Sequence, residues 1–246
     1  MNEVIKARAL TYTYPDGTAA LQGIDLEIRR GERVALLGPN GAGKSTFLMH
    51  FNGTLRGEGE LRIAGLEPIK ANIQAIRSAV GLVFQDPDDQ LFLTTVFDDV
   101  AFGPINQGLH QDEVIGRVKG ALEVVDMLWA IHKSAHHLSF GQKKRIALAT
   151  VLSMNPKVLI LDEPTSNLDP RARRRLESLL MSLEHTMLVA THNLDFAWRV
   201  CDRSVILSNG RIVADGPTRE ILVNEGLLEE NGLEMPLSAM LEGIKA

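Results

Sequence analysis

The sequence is poor in the features that would place a chain outside the cell, inside a membrane or along a nucleic acid. It has a single cysteine, Cys201, so no internal disulfide can form. A lone, buried thiol is ordinary in a reducing compartment. No apolar run approaches the roughly 18 residues that a bilayer-spanning helix needs. The opening stretch MNEVIKARAL has no apolar core of the kind a secretory signal carries. The chain is therefore expected to be soluble and cytosolic, and to reach a membrane only through a partner. Basic residues do not predominate: 26 Lys and Arg stand against 31 Asp and Glu, a formal charge of −5. That balance argues against a broad nucleic-acid footprint, so no nucleic-acid partner is expected. Internal repeats and low-complexity tracts are missing as well. What remains is 246 residues, 45% of them hydrophobic, enough for one large domain or one domain with a small appendage.

The stretch that organises the rest is Gly38-Pro39-Asn40-Gly41-Ala42-Gly43-Lys44-Ser45-Thr46. It follows the apolar run Val34 to Leu37 and precedes Phe47 to Phe51, which can continue as a helix. A buried strand, a glycine-rich turn and a helix start make a phosphate cradle. Glycine lets backbone N–H groups converge on an anion, and the helix N-terminus adds donors and partial positive charge. Lys44 can reach the β- and γ-phosphates, and the Ser45 hydroxyl can ligate Mg²⁺. All nine residues are candidates for binding a nucleoside triphosphate.

Along the chain, residues 3 to 14 and 21 to 28 alternate apolar and polar positions around the turn signal Pro15-Asp16-Gly17, which predicts two antiparallel strands. Tyr12 and Tyr14 lie one strand period apart and share a face. Glu60 to Ala64 and Val80 to Phe84 read as strands, and Ala71 to Ala79 as a short helix. From Pro87 to about Leu152 the texture turns helical, as expected of a helical subdomain inserted into an α/β core; Glu113 to Met127 has helical apolar spacing. The core resumes with the buried-strand run Val158 to Leu161. Asp169-Pro170 is an N-cap and N1 pair for a helix through Leu183. The cluster Arg171, Arg173, Arg174 and Arg175 reads as a solvated helix face. Thr186 to Ala190 is a further strand, Asn209-Gly210 signals a type I′ hairpin, and Pro217 to Val223 a short helix. Residues 226–246 read either as a loosely packed tail or as a partner-binding segment.

Val158 to Glu163 reads VLILDE, an apolar strand ending in two carboxylates. Asp162 is suited to hold Mg²⁺ directly or through water. Glu163 is suited to orient and polarise an attacking water. Between this motif and the first lies Leu138-Ser139-Phe140-Gly141-Gln142, followed by KKRIALATVL. Here the chain resembles the ATP-binding-cassette (ABC) ATPases, whose signature LSGGQ opens a helix in this place. Other parts match in order: Gln85 after VGLVF resembles the Q-loop glutamine, Ser166 to Asp169 the D-loop, His192 after LVAT the switch histidine, and Tyr14 the adenine-stacking aromatic.

The resemblance runs from about residue 4 to 216. It implies an α/β P-loop NTPase fold: an ABC-type nucleotide-binding domain over 1–216 with an antiparallel β-subdomain and a helical subdomain at about 87–152, then a tail over 217–246. It implies ATP and Mg²⁺ as cofactors, Glu163, His192 and Gln85 in catalysis, and Ser45, Gln85 and Asp162 at the metal. It also implies that the Ser139 hydroxyl and the Gly141 N–H complete the ATP site of an opposite subunit, as one signature cannot fold back onto its own P-loop if the two lie far apart, and that Gln142 and Asp169 bind ATP. A homodimer, or a pair with a related ATPase, is the expected partner arrangement.

GLVFQDPDDQLF at Gly81 to Phe92, VFDDVAFGP at Val96 to Pro104 and ADGPTREIL near the end are similar to the ATPase subunits of energy-coupling-factor importers of the cobalt and nickel type. Such subunits sit peripherally on the cytoplasmic face of the cell membrane. They drive a membrane coupling protein that works with a substrate-binding membrane component. Asp86, Asp88 and Asp89 read either as contacts for that coupling protein or as a solvated acidic loop. A vitamin importer, a soluble ABC protein and a P-loop kinase are rival readings. The last would need neither LSFGQ nor His192. Phe140 stands where the resembled family has a first glycine, and is expected to slow closure of the nucleotide interface. Phe140→Gly should therefore raise the steady-state ATPase rate; an equal or lower rate in an intact variant contradicts that expectation.

Overall fold

The computed structural model describes residues 3–243. Positions 1–2, and the last three positions of the tail, lie outside the described residues. In chain order the elements are β1 (Glu3–Thr13), β2 (Ala19–Arg29), β3 (Arg33–Leu37), α1 (Lys44–Phe51), β4 (Glu58–Ile63), α2 (Ile73–Ala79) and β5 (Val80–Val83). Then come α3 (Val96–Asn106), α4 (Gln111–Val124), α5 (Phe140–Leu152), β6 (Val158–Asp162), α6 (Pro170–Ser182), β7 (Thr186–Ala190) and α7 (Leu194–Val200). The chain closes with β8 (Arg203–Ser208), β9 (Arg211–Pro217), α8 (Thr218–Ile221), α9 (Glu225–Glu230) and α10 (Leu237–Gly243). These elements form two compact units, one of Met1–Arg77 with Glu184–Ala246 and one of Ser78–Leu183.

The first unit holds two sheets. One is antiparallel, in the order β2-β1-β4. Its strands bury alternate residues, such as Leu26 and Ile28 on β2, and leave the others wet; this is what a one-sided core demands. Ala9 adopts φ 46° at a bulge in β1, where its N–H is taken by Asp25 Oδ1 at 2.9 Å. The second sheet pairs β3 in parallel with β7 on one side and β8 on the other, and β9 antiparallel to β8. Val34 to Leu37 and Met187 to Ala190 are fully buried, the signature of parallel strands covered on both faces. At the β8–β9 turn Asn209 and Gly210 both have positive φ, 48° and 72°, as a type I′ turn requires. That turn backs the glycine-rich loop: Gly210 N donates to Ala42 O at 3.1 Å and Gln22 N to Gly210 O at 2.8 Å.

The tail is packed rather than loose. Ser238 N donates to Asp195 Oδ1 on α7 at 2.8 Å. Trp198 Nε1 donates to Glu242 Oε1 at 3.1 Å, and Arg219 both pairs with Glu242 at 2.9 Å and lies 3.9 Å over the Trp198 ring. Sequence patterning missed this docking because its partners are 23 to 44 residues apart along the chain.

In the second unit β5 and β6 pair in parallel, and α3, α4 and α5 form the expected helical stretch. A capping box at Thr95 and Asp98 starts α3, another at Ser139 and Gln142 starts α5, and Asp169 caps α6. Arg171, Arg174 and Arg175 are exposed on α6 as a solvated face, but Arg173 is half-buried with its Nε out of solvent, so the expectation holds for three of the four. The helices α7, α9 and α10 have no counterpart in the sequence reading; the other differences lie at ends: β2 runs to Arg29, β4 starts at Glu58, α2 begins at Ile73 and α4 at Gln111. Ends are set by caps and bulges rather than by hydrophobic period.

Asp195 makes a direct test of the packed tail. Its carboxyl is pushed up by burial, but the Ser238 bonds and Arg199 outweigh that and hold it below the ordinary aspartate value. Asp195→Ala should speed hydrogen exchange at the amides of α10 by about tenfold, or roughly 1.4 kcal/mol, with little change in global melting. A depressed native pKa stabilises above the unfolded value and is lost below it. The same loosening in the parent chain should thus appear only when the pH falls below the usual aspartate range. Unchanged exchange in the variant would show that α10 is held by other contacts.

Candidate active site

The first unit brings together Tyr14, the Gly38–Thr46 loop and His192. The loop leaves β3 at Gly38, where φ is 149° and an added Cβ would collide with Leu207 O. Gly43, at φ 104°, would set a Cβ 2.6 Å from Ala20 O. Glycine at both places is a steric requirement, since the hairpin and β2 press against the loop from behind. Gly43 is also the N-cap of α1, and no side chain caps that helix. Its first N–H groups therefore point into the loop rather than into a cap, as an anion site needs. Lys44 is 8% exposed, and its Nζ donates to Gly38 O at 2.7 Å and Pro39 O at 3.0 Å. The loop folds around this ammonium. Ala42 packs inside, while Asn40, Gly41 and Ser45 are exposed on its rim and Pro39 is half-buried.

Thr46 does more than continue the helix. Its Oγ1 lies 2.9 Å from Tyr14 Oη, and its carbonyl 2.8 Å from His50 Nδ1. The Tyr14 ring meets Tyr12 edge-on at 5.0 Å, and Tyr12 meets His50 at 5.1 Å. The stack fixes Tyr14 beside the start of α1. Burial lowers the pKa of His50, so a neutral imidazole fits this apolar place. His192 is exposed in the turn between β7 and α7. The preceding Thr191 N donates to Leu36 O at 3.1 Å, and Asn193 caps α7. The turn is thereby tied to the strand that feeds the Gly38 loop.

The second unit gathers Gln85, Ser139, Gly141, Gln142, Asp162, Glu163 and Asp169. Gln85 is exposed just past β5. The loop behind it is stapled by Gln90, which accepts from Phe84 N at 3.1 Å and donates to Ala147 O and Thr150 Oγ1 at 2.9 and 2.7 Å. Glu163, 7% exposed, follows β6 with φ 43°, a left-handed conformation costing a non-glycine residue roughly 1–2 kcal/mol. Ser139 Oγ accepts from Gln142 N at 3.4 Å, and Gln142 Oε1 from Ser139 N at 2.8 Å. As an acceptor there, the Ser139 hydroxyl keeps its proton for another partner. Gly141 has the Ala172 Cβ 3.0 Å from where its own Cβ would stand. Asp169 accepts from Arg171 N and Ala172 N at 2.8 and 2.9 Å, and those backbone bonds hold its carboxyl below the ordinary range.

Sequence reasoning passed over Lys144. It is 2% exposed, and its Nζ donates to Gln85 O at 2.6 Å, Glu163 O at 3.0 Å and Ser166 Oγ at 3.4 Å. Burial pulls its ammonium down to about 8, against the opposing pull of Asp86, Glu163 and Asp162. The one sequence signal was a lysine four residues after Phe140, whose ring lies 5.6 Å from Nζ. The acidic loop is also more occupied than its composition suggested. Asp86 Oδ1 accepts from Asp88 N at 3.0 Å, and Asp88 pairs with Lys143 at 2.7 Å.

A family model for ABC transporters matches residues 21–166. The energy-coupling factor transporter ATP-binding protein EcfA of Carboxydothermus hydrogenoformans is 47% identical over 245 residues, covering 98% of this chain and 90% of that one. Among solved structures, cbiO1 of Clostridium perfringens, described as part of the ABC transporter complex cbiONQ, matches with a TM-score of 0.83 at 40% identity; 99% of this chain and 100% of that one are covered. An ATP-binding cassette solved as a dimer in a post-hydrolysis state with ADP and Pi matches with a TM-score of 0.78 at 27% identity, over 87% and 98% of the two chains. A P-loop NTPase fold shared over nearly the whole length with such relatives is that of an ATP-hydrolysing subunit, and the chain belongs to the ABC transporter ATP-binding family.

Proposed function

We propose that this ATPase powers import of a transition-metal ion, cobalt or nickel, as the peripheral cytoplasmic subunit of an energy-coupling-factor transporter. The observation that carries the membrane-coupling part is an apolar patch soon after Gln85. Phe92 and Phe102 are 62% and 49% exposed with rings 5.5 Å apart, and Ile105 is 60% exposed. Adjoining exposed apolar side chains of this size suit a protein contact better than water. Among the described residues no helix is long and apolar enough to cross a membrane. The partner we infer is therefore the cytoplasmic part of a membrane coupling protein, which itself works with a substrate-binding membrane component. Asp89, exposed at the loop edge, is better placed than Asp86 or Asp88 to meet an arginine there. The metal cargo rests on the sequence likeness to cobalt and nickel importers, while the likeness to cbiO1, part of a transporter complex, supports the assembly. Relatives described only as energy-coupling-factor subunits keep a vitamin cargo as the second reading.

In the proposed mechanism Tyr14 stacks on adenine, and residues 38–46 and the α1 N-terminus hold the phosphates. Ser45 in the first unit, and Asp162 and Gln85 in the second, each carry a hard oxygen donor of the kind that suits Mg²⁺. Among the described residues no cluster of three His, Cys, Asp or Glu could hold a metal alone, so most Mg²⁺ oxygens would come from phosphate and water. Bound there, Mg²⁺ neutralises phosphate charge. Glu163 orients the attacking water, His192 reaches the γ-phosphate, and Ser139, Gly141, Gln142 and Asp169 serve the nucleotide of a second copy or a related chain. That pairing makes ATP the glue of a dimer.

Glu163→Gln should keep ATP affinity within about twofold while turnover falls at least about a hundredfold. Brisk hydrolysis by the variant would remove Glu163 from the mechanism. Purification of the tagged chain from detergent-solubilised membranes, followed by mass spectrometry, tests the assembly. A coupling protein with a metal-type membrane component is expected. A vitamin-type component with a second ATPase would move the cargo, and no membrane protein at all would defeat the importer reading. Phe92→Asp with Phe102→Asp should abolish co-purification while leaving the purified chain's ATP binding intact.

A further inference from the structure

We propose that Lys144 is a positioning residue for hydrolysis: its buried ammonium clamps the backbone carbonyls of Gln85 and Glu163 and the Ser166 hydroxyl into one arrangement. The inference rests on the proposed roles of Glu163 and Gln85. It adds a residue that touches neither nucleotide nor water.

An ammonium has three N–H donors, and here there are three acceptors. Nζ lies 2.6 Å from Gln85 O, 3.0 Å from Glu163 O and 3.4 Å from Ser166 Oγ. The acceptors come from three separate segments: the loop after β5, the end of β6 and the turn before α6. Ser166 Oγ also donates to Glu163 O at 2.8 Å, so that carbonyl receives both members of the network. Only such multiple pairing makes a buried charge tolerable, because an unpaired one costs several kcal/mol.

The acceptors explain what the clamp does. Glu163 holds φ 43° and Asn167 φ 59°, so the segment 163–167 carries two left-handed non-glycine residues. Such strain persists only where surrounding contacts over-determine it. The Lys144 and Ser166 bonds to Glu163 O are those contacts at the first of the two. A peptide held at its carbonyl cannot swing, and the direction of the Glu163 side chain depends on that peptide. The same ammonium stops the Gln85 peptide from turning. Phe140, one helical turn earlier, lies beside Nζ at 5.6 Å.

A residue that only fills space would not separate binding from turnover; a positioning residue does. In the full chain Lys144→Met, of similar length and without donors, should lower kcat about tenfold or more and leave KM and ATP affinity within about twofold. Lys144→Gln has two N–H donors and no charge, and should recover part of the lost kcat. Ser166→Ala should lower kcat less than Lys144→Met, and should have little further effect in the Lys144→Met background, because both act on Glu163 O. A kcat for Lys144→Met within twofold of the parent, an equal fall in affinity, or full multiplication of the two losses would overturn the proposal. If Lys144→Met does not fold, Ser166→Ala and Lys144→Gln decide it: a kcat unchanged in both overturns it. Glu163→Gln run in parallel separates the two levels. If that variant is active, the reading of Glu163 fails; if it is inactive and Lys144→Met is not impaired, only the clamp fails.

Discussion

Backbone N–H groups at a helix start need partners; among the described residues α1, α4 and α8 have no side-chain cap, and at α1 the gap falls on the glycine-rich loop. Thr95, Ser139, Asp169 and Asn193 cap α3, α5, α6 and α7 with their own side chains. At α1 the cap position is Gly43, which has no side chain to offer. Everything around it serves to keep that end open. Leu207 O and Ala20 O exclude any Cβ at Gly38 and Gly43, and the β8–β9 turn holds Ala42 O from behind. The open donors and the helix dipole then favour an anion at this end of α1.

Two buried lysines follow the same chemical logic in the two units. Lys44 turns its ammonium onto the carbonyls of Gly38 and Pro39, and Lys144 onto those of Gln85 and Glu163. In each case main-chain oxygens receive the charge. Carbonyls are a suitable counterpart because they offset desolvation without cancelling the charge, as a carboxylate would. Lys44 holds together one short loop; Lys144 directs all three of its donors to segments that lie far apart along the chain.

Function divides along the same line. The first unit carries the parts that would grip a nucleotide, namely Tyr14, residues 38–46 and His192. The second carries Gln85, Asp162, Glu163 and the Ser139 helix, together with the exposed Phe92, Phe102 and Ile105. Groups proposed to act on phosphate and groups proposed to face a partner therefore share one compact unit. There the Gln90 bonds to α5 and the Lys144 bonds to Gln85 and Glu163 link the surface loop to the end of β6.

Local chemistry was legible in the sequence. Glycine spacing, the apolar runs before Gly38 and Asp162, the Asn209-Gly210 turn and the Asp169-Pro170 cap each depend on neighbours within a few residues, and hydrophobic period with turn residues reports such dependence directly. The order of motifs was enough to suggest the family. What lay between distant residues was not legible. That Ser139 and Gln142 cap each other follows from their spacing, but that Asp88 pairs with Lys143, or that Trp198, Arg219 and Glu242 dock the tail, depends on contacts 23 to 55 residues apart. Lys144 is the clearest case. A lysine in a helix reads as solvent-facing, and only the folding of three segments around its end turns it into a buried clamp. The sequence alone thus determined the candidate groups for phosphate and water; tertiary structure decided how they are aimed, because direction is set by hydrogen bonds that close only when remote backbone is brought within about 3 Å.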